Sequence, residues 1–584
     1  MVQETLKTDV LIIGGGIAGS FAAVKAREAG IENVTLVTKG NFGTDGASTF
    51  GAGIYYCIRP EDDRDLIFKR QAMAYEGIGF YSGAAGLYDE DWLTVAVDEG
   101  YQRFVEMDQW GVKVRKNPDG SYKIVPESRG KEPMYMLPGP DTMVALAKKV
   151  RSTEVNVICN VLITDLLTEG GLPGNRVIGA VGFDSLTGEF RVFEAKSVVL
   201  ATGGSGFKSR WSGHGSVAGE GAAAAYRAGA VHTGWESGNL IVTGTDYDVM
   251  GQNPLVGLGA RWVNAKGERF MLEYDPACED KSPTNRLSES CALEIRGGNG
   301  PIYLDLSHIT PENMDHYRFM YPLTCKMLER VGVIEGNRAL KKVEVEPVFV
   351  GAFNSTGGGV KVNTRCESSL SGLYACGDAM QNRLHIPIAI NGATVSGARA
   401  GTYAAQYAKE NDFGKVNQEQ IEMFKAFGRE PMDRKDGIEP DHVIIGVLEA
   451  ILPYGVSIIG RGDRIEKAIQ KVERIRDEEV PQLYASDPHY LKQANEARSL
   501  CTIAEMYLRS RLLRTESRET CLREDYPYID NENWLKWTCL KEDNGKMKMW
   551  TEDVPVEKYR LQPERKKILH PRFEVARRRG IQWG

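Results

Sequence analysis

Three glycines, Gly14, Gly16 and Gly19, stand at the GxGxxG spacing between an apolar run and a helix-forming one. That spacing suits a dinucleotide. The first glycine permits a tight turn, the second lets the backbone approach a pyrophosphate, and the third lets helix and strand pack closely. The helix amino terminus then faces the phosphate charge. An acidic residue ordinarily closes the next strand to hold a ribose hydroxyl, but Thr38 and Lys39 stand there, which weakens a nicotinamide site. Metal chemistry has no comparable signal. The ten cysteines are scattered singly, with no CxxC pair or close quartet for zinc or an iron–sulfur cluster.

The glycines need a strand before them and a helix after them. DVLIIGGG, IAGSFAAVKAREAG and NVTLVTK supply strand, turn with helix, and strand, which is one βαβ unit. Val10, Leu11, Ile12 and Ile13 form the continuous apolar run of a parallel strand covered on both faces. DTMVALAKKV reads as helix; VNVICNV, RVIGAVGF and SVVLATGG read as strands, the last ending in another glycine turn. Residues 240–345 turn polar and irregular, as an inserted unit would, before strand-and-turn character returns at GGVKVN and SGLYACGDA. The charged helices beyond residue 460 read as solvated faces or docking surfaces, and the last forty residues as an extended tail.

At 584 residues the chain calls for two or three domains and can bury a large cofactor. A net charge of -7 argues against nucleic acid or an anionic membrane as partner, since either would want a broad basic surface. The amino terminus lacks a signal-peptide layout and no apolar run spans a bilayer, so a cytoplasmic protein is expected, with membrane contact only through a partner.

Beyond the dinucleotide turn, several segments resemble the fumarate reductase and succinate dehydrogenase flavoprotein family. A small hydroxyl residue and lysine at Thr38 and Lys39 are common there. SVVLATGGSGF, with Ala201, Thr202 and Gly203, is similar to the second FAD-contacting turn, and SGLYACGDA, with Gly377 and Asp378, to the closing motif whose carboxylate holds the ribityl chain. AGEGAAAAYRAGA, with Glu220, resembles the family's glycine-acid-glycine turn, and INGATVSG, with Asn391 and Gly392, the helix start beneath the isoalloxazine. RTESRETCLREDYPY looks like the hallmark arginine-glutamate-serine-arginine segment. The resemblance implies an α/β fold: a Rossmann-like FAD-binding domain (1–240 and 346–412) interrupted by an α+β capping domain (241–345). A C-terminal helical domain (413–545) and an extension (546–584) follow.

Departures from the family pattern carry information too. Dicarboxylate enzymes of the family attach FAD to a histidine where Ser48 and Thr49 stand here, so noncovalent FAD is expected. Their dicarboxylate clamp residues have no counterpart in NLIVTG, AFNSTGGG and IPIAING, which demotes succinate and fumarate. GDAMQNRLHIPIAING more closely resembles the α chain of adenylylsulfate reductase, a branch with noncovalent FAD and a ferredoxin-like iron–sulfur partner, and His385 would match its histidine before the flavin helix. Arg286 lies about where the family keeps its proton-passing arginine and is either that donor or half of a surface ion pair. His214, near a flavin loop, is either catalytic or an exposed glycine-flanked histidine, and Cys376 is a packing residue or a redox one.

The expected function is an FAD-dependent oxidoreductase subunit of a hetero-oligomer. It exchanges electrons between a small molecule at the flavin and an iron–sulfur subunit. The alternatives are a fumarate reductase, succinate dehydrogenase or L-aspartate oxidase activity on a dicarboxylate, and a non-catalytic electron relay.

Overall fold

The computed structural model describes residues 5–50, 54–65, 87–124, 134–137, 139–209, 213–249, 252–352, 357–381, 389–518, 520–560 and 562–583. Its principal sheet begins with β1 (Thr5–Ile13), whose last four residues are buried as the apolar run requires. The glycine turn leads to α1 (Ile17–Glu28) and then β2 (Val34–Val37), buried throughout. A one-turn helix, α2 (Ala47–Phe50), and the long α3 (Glu90–Gln109) follow. Next come β3 (Asn156–Ile158), β4 (Val161–Thr168), β5 (Val177–Asp184) and β6 (Phe190–Leu200).

Strand order is β3-β2-β1-β6-β5-β4. β1 is parallel to β2 and to β6, with Ile13 opposite both Val37 and Leu200. The strands β4, β5 and β6 form an antiparallel meander. A mixed sheet of this kind, with α1 on one face, is a Rossmann-like architecture.

The chain continues through α4 (Glu220–Arg227) into a second sheet made of β7 (Leu240–Gly244), β8 (Arg261–Val263), β9 (Ile302–Asp305) and β10 (Val343–Phe349). Its order is β7-β10-β9-β8, all antiparallel, and α5 (Thr284–Arg296) packs against β7 and β10. These strands are short and pair over long sequence distances, so the polar, irregular sequence conceals them. Val242, Trp262, Leu304 and Val345 nevertheless build a buried core beneath it.

The chain then returns to the first sheet through β11 (Leu373–Ala375), which pairs in parallel with Val198–Leu200 of β6. The helix α6 (Ala389–Glu410) follows and lies across α1.

Two readings of the carboxyl-terminal region need correction. α7 (Pro488–Leu513), capped by Asp487, is not a solvated helix. It buries Leu500, Ile503 and Ala504 together with Glu496, Arg498, Glu505 and Arg511, because each of those charges meets a partner from another segment. The last residues are not an extended tail. β12 (Lys536–Asp543) and β13 (Lys546–Asp553) form a hairpin that pairs with His232–Thr233, and α8 (Pro571–Arg578) buries Phe573 and Val575 against α5.

Among the described residues no helix is long and apolar enough to cross a membrane, and no group of His, Cys, Asp or Glu side chains could hold a metal ion.

Candidate functional site

The glycine turn is held by backbone geometry rather than side chains. Gly14 adopts φ +113°, a region L side chains rarely enter, and a Cβ there would lie 2.2 Å from the Ala201 carbonyl oxygen. At Gly19 a Cβ would lie 1.9 Å from the Gly14 carbonyl oxygen, so only glycine lets α1 sit on the turn. The Gly14 amide donates to the Val37 carbonyl at 2.8 Å, and Gly16 caps α1 with no side-chain hydrogen bond. Ser48, on α2, stands at that helix end, its Oγ accepting from the Ile17 amide at 3.3 Å. Thr49 is buried one residue further on.

Two further turns converge on the first. The Ala201 amide donates to the Ile13 carbonyl at 2.8 Å, which brings Thr202 and Gly203 alongside Gly14. Gly204 closes against Ala352 and the Cβ of Asp378, with the Ser205 amide donating to the Ala352 carbonyl at 2.8 Å. Gly377 packs against Ala18 of α1, and its amide donates to Ser396 Oγ at 2.9 Å. In the first turn of α6, Asn391 Nδ2 donates to the Tyr56 carbonyl at 2.7 Å, and the Gly392 carbonyl accepts from Ser396 Oγ.

Thr202 Oγ1 and Ser205 Oγ, which lie against Gly221 and Gly219 at the start of α4, and Asn391 Oδ1, which lies against Gly100 of α3, are buried with no hydrogen-bond partner within the chain. Buried polar groups are rarely left so, and these three belong to the turns that a polar ligand would contact. Its donor set suits a dinucleotide with sugar hydroxyls and a heteroaromatic ring. Glycine-lined turns, a bare helix amino terminus, a carboxylate at Asp378 and these orphaned atoms together fit FAD.

Lys39, at the end of β2, enters a buried ion network. Its Nζ donates to Glu220 in α4 and, at 3.0 Å, to Glu496 in α7, which also accepts from Lys208 at 2.7 Å. Burial alone would lower the Lys39 pKa, but the two carboxylates reverse this and hold it above the usual lysine range. Burial alone would raise Glu496; Lys39 and Lys208 overcome it and hold the carboxyl down to about 2. Lys39 and Glu496 stay ionised, and the network ties the end of β2 to α4 and α7.

The proton-transfer candidates fare differently. Arg286 is not on the surface: it is buried in the first turn of α5, where its Nη1 donates to Asp275 Oδ2 at 3.0 Å. His214 is likewise not exposed but fully buried, and burial depresses its pKa to about 3, so the ring is neutral near pH 7. Cys376 is fully buried and its thiol pushed up by burial, which suits packing. His385 lies outside the described residues.

Sequence reasoning missed two clusters. Glu516 pairs with Arg514 and Arg518 inside the arginine-glutamate-serine-arginine segment, and Glu236, from the stretch before β7, pairs with Arg514; all four are buried. That string was visible, but not its role as a buried knot. Glu289, His570 and Arg572 gather around Arg286 from α5 and the end of the chain, and no local pattern announced them.

Three buried histidines make stability pH-dependent. Burial holds His214 and His232 at about 3 and His570 well below the usual value. Each binds its proton only on unfolding, so stability is intact above about pH 6.5 and falls as pH drops toward 3. At pH 5.5 each is expected to cost about 1.4 kcal/mol relative to pH 7.5. Thermal melts at those two pH values should show the drop, with His232→Gln removing roughly a third of it; a flat profile would contradict neutral burial.

Comparison with known proteins agrees with the geometry. The FAD binding domain family matches residues 9–395, and the fumarate reductase flavoprotein C-terminal family matches residues 447–568. An uncharacterized FAD-dependent oxidoreductase of Methanocaldococcus jannaschii is 28% identical over 568 residues, covering 94% of this chain and 98% of its own. One of the chains of the CoM/CoB fumarate reductase of Methanothermobacter marburgensis is 28% identical over 556 residues, covering 90% and 96%. Among solved structures, the fold is similar to E. coli quinol fumarate reductase (TM-score 0.83, 21% identity, 96% and 99% covered). It is also similar to adenylylsulfate reductase from Archaeoglobus fulgidus (TM-score 0.79, 21% identity, 94% and 96% covered). With its glycine turns and both halves of the fold matched, the chain belongs to the FAD-dependent oxidoreductases of the fumarate reductase, succinate dehydrogenase and aspartate oxidase family.

Proposed function

We propose that this chain is the flavin-carrying subunit of an oxidoreductase, taking electrons to or from a small molecule at the ring and exchanging them with an iron–sulfur partner. The observation that carries the reading is the convergence of three glycine-lined turns from distant segments, with Gly14 against Ala201, Gly204 against Asp378 and Gly377 against Ala18. FAD, when bound, supplies two-electron chemistry toward the substrate and one-electron chemistry toward the partner.

The chain's own residues orient and shield. The first turn of α6, with Asn391 and Gly392, offers helix-terminal amides that favour negative charge. Asp378 offers a carboxylate to sugar hydroxyls, and Lys39 holds the β2 end to α4 and α7. Arg286, oriented by Asp275, offers a desolvated cation from the inserted sheet unit. A relative named as one chain of a multi-chain fumarate reductase, and the likeness to the adenylylsulfate reductase branch, support the presence of another subunit. Gentle purification from native cells should bring down a small iron–sulfur protein; a lone yellow protein that oxidises NADH directly would overturn the partnered reading.

The flavin is held without a covalent link, because Ser48 stands at the α1 terminus where a histidine would be needed. Acid precipitation should therefore release essentially all the flavin to the supernatant and leave a non-fluorescent pellet. A yellow pellet would refute dissociable binding.

A second reading, turnover of a dicarboxylate, is favoured by relatives named fumarate reductase and L-aspartate oxidase. Steady-state assays with fumarate and with L-aspartate decide it.

A further inference from the structure

The inserted sheet unit joins the rest of the chain by two adjacent crossings. There the Asn239 amide donates to the Gly351 carbonyl at 2.7 Å, and the Val350 amide to the Asn239 carbonyl at 3.0 Å. Both crossings adjoin the second glycine turn, since Gly351 lies against Ser205 and Ala352 against Gly204. α7 meets the unit at the same edge, with Phe349 stacked on Tyr507 at 4.6 Å and Phe207 at 5.9 Å from Phe349. A second meeting place is made by an arm that follows α3.

That arm, residues 112–123, is a closed turn. The Lys123 amide donates to the Arg115 carbonyl at 2.9 Å and the Asn117 amide to the Ser121 carbonyl at 2.8 Å. Tyr122 Oη and Lys116 Nζ both donate to Asp108 in α3, at 2.9 and 2.7 Å. Beneath the turn, Tyr122 meets Phe104 edge-on at 4.8 Å, and Phe104 lies 5.2 Å from Tyr55. Tyr55 Oη donates to the Gly100 carbonyl at 2.8 Å and lies 2.9 Å from Thr394 Oγ1 of α6. An aromatic layer thus rests the arm on the start of α6, where the functional reading puts the flavin.

Facing the arm is a helix of the inserted unit, Pro311–Met320, capped by Thr310. Met314 and Tyr317 are fully buried in the unit's own core, which turns His316 and Phe319 to the other face. Arg115 covers that face. Its guanidinium carbon lies 3.5 Å from the Phe319 ring centroid, and Nη1 donates to His316 Nδ1 at 3.3 Å. Arginine carries donors alone, so the histidine nitrogen is the acceptor. A planar guanidinium can stack and donate at once. Phe319 remains 38% exposed, which marks a contact between two surfaces rather than core packing.

We propose that Arg115 is a latch that clasps the arm to the inserted unit through Phe319 and His316, and whose release opens the approach to the flavin. The inference rests on the functional reading above and adds to it a residue that governs access. The crossings adjoin the turn at Gly204 and the arm rests on the start of α6, so parting at the latch exposes the flavin turns while the crossings hold. Closure of this kind is a two-state equilibrium. One cation–π contact with its hydrogen bond biases it toward the closed form by about fivefold.

The experiment is stopped-flow oxidation of the FAD-loaded, dithionite-reduced protein by a bulky dye, dichlorophenolindophenol, after excess reductant is removed. The dye reaches the ring in the open form, so its second-order rate follows the open population. Arg115→Gln and Phe319→Leu should each raise that rate by about fivefold. The double variant should go no further than either single one, because the two side chains act through one contact. Lys113→Gln removes a charge from the same arm, where Lys113 pairs with Asp141 in solvent, and should leave the rate within about twofold. Unchanged rates in both single variants, multiplied effects in the double variant, or an equal rise in Lys113→Gln would each overturn the latch. Flavin content and bleaching by dithionite are read on the same samples. A faster variant that has also shed flavin counts against the latch, because general loosening then accounts for the rise. Absence of bleachable flavin from the unmutated protein strikes at the flavin reading, whereas intact flavin with unmoved dye rates strikes at the latch alone.

Discussion

Gly14→Val is expected to give a protein that emerges colourless from gel filtration, its flavin affinity down by about 100-fold or more. The turn at Gly14 has φ +113°, where a side chain costs about 1–2 kcal/mol. The heavier penalty is steric: a Cβ at 2.2 Å from the Ala201 oxygen meets backbone, not a flexible side-chain end. Either the β1 turn or the end of β6 must move, and both line the proposed flavin site. Gly30→Ala is the matched control, because Gly30 also has positive φ, at +85°, but its nearest neighbour is the tip of Lys409 at 3.4 Å. That variant should lose about 1 kcal/mol of stability and keep its colour. The ratio of visible to ultraviolet absorbance after desalting checks both. Full flavin retention by Gly14→Val would mean that the dinucleotide is held elsewhere.

Glu516→Gln is expected to destabilise the fold by about 3–5 kcal/mol, because it removes one partner from a buried charge pair and strands the others. Arg514 and Arg518 are almost completely buried, and both bind Glu516 Oε1, at 2.6 and 2.8 Å. Oε2 accepts the Asp530 amide at 2.9 Å, so the carboxylate also fixes the chain after the knot. Burial alone would lower the Arg514 pKa, but Glu236 and Glu516 reverse this and raise it. Denaturant unfolding should show the loss, and Glu189→Gln, half of an exposed pair with Arg191, should change stability by less than about 0.5 kcal/mol. Equal small effects would mean that the knot carries no stability.

What could be read in advance was local. β1, the glycine turn and α1 are contiguous, and their periodicity and punctuation state the fold directly. The Lys39 anomaly was visible, but its meaning was not, since Glu220 and Glu496 come from α4 and α7. α7 misled for the same reason: Glu496 and Arg511 look like surface residues until their partners from remote segments are known. His214 misled because flanking glycines ordinarily mark an exposed loop, whereas here Gly206 presses against the ring. The cluster at Arg286 was half legible. Its arginine carried a family likeness, but Arg572 belongs to a stretch whose lack of periodicity hid a docked helix.

The strand β6 has a divided edge. Its first residues, 190–194, are covered on one side by β5, and Val198–Leu200 on that same side by β11, which begins at residue 373. Between them in the sequence lies the whole antiparallel sheet unit. During synthesis, the stretch that leads into Ala201–Gly203 therefore stays open-edged until the inserted unit has emerged and folded. Non-local pairing of this kind is slow, because loop closure precedes any compensating contact. Closure of that edge is consequently a late event in the life of the polypeptide, and fragments ending before β11 present a raw sheet margin prone to association with other chains.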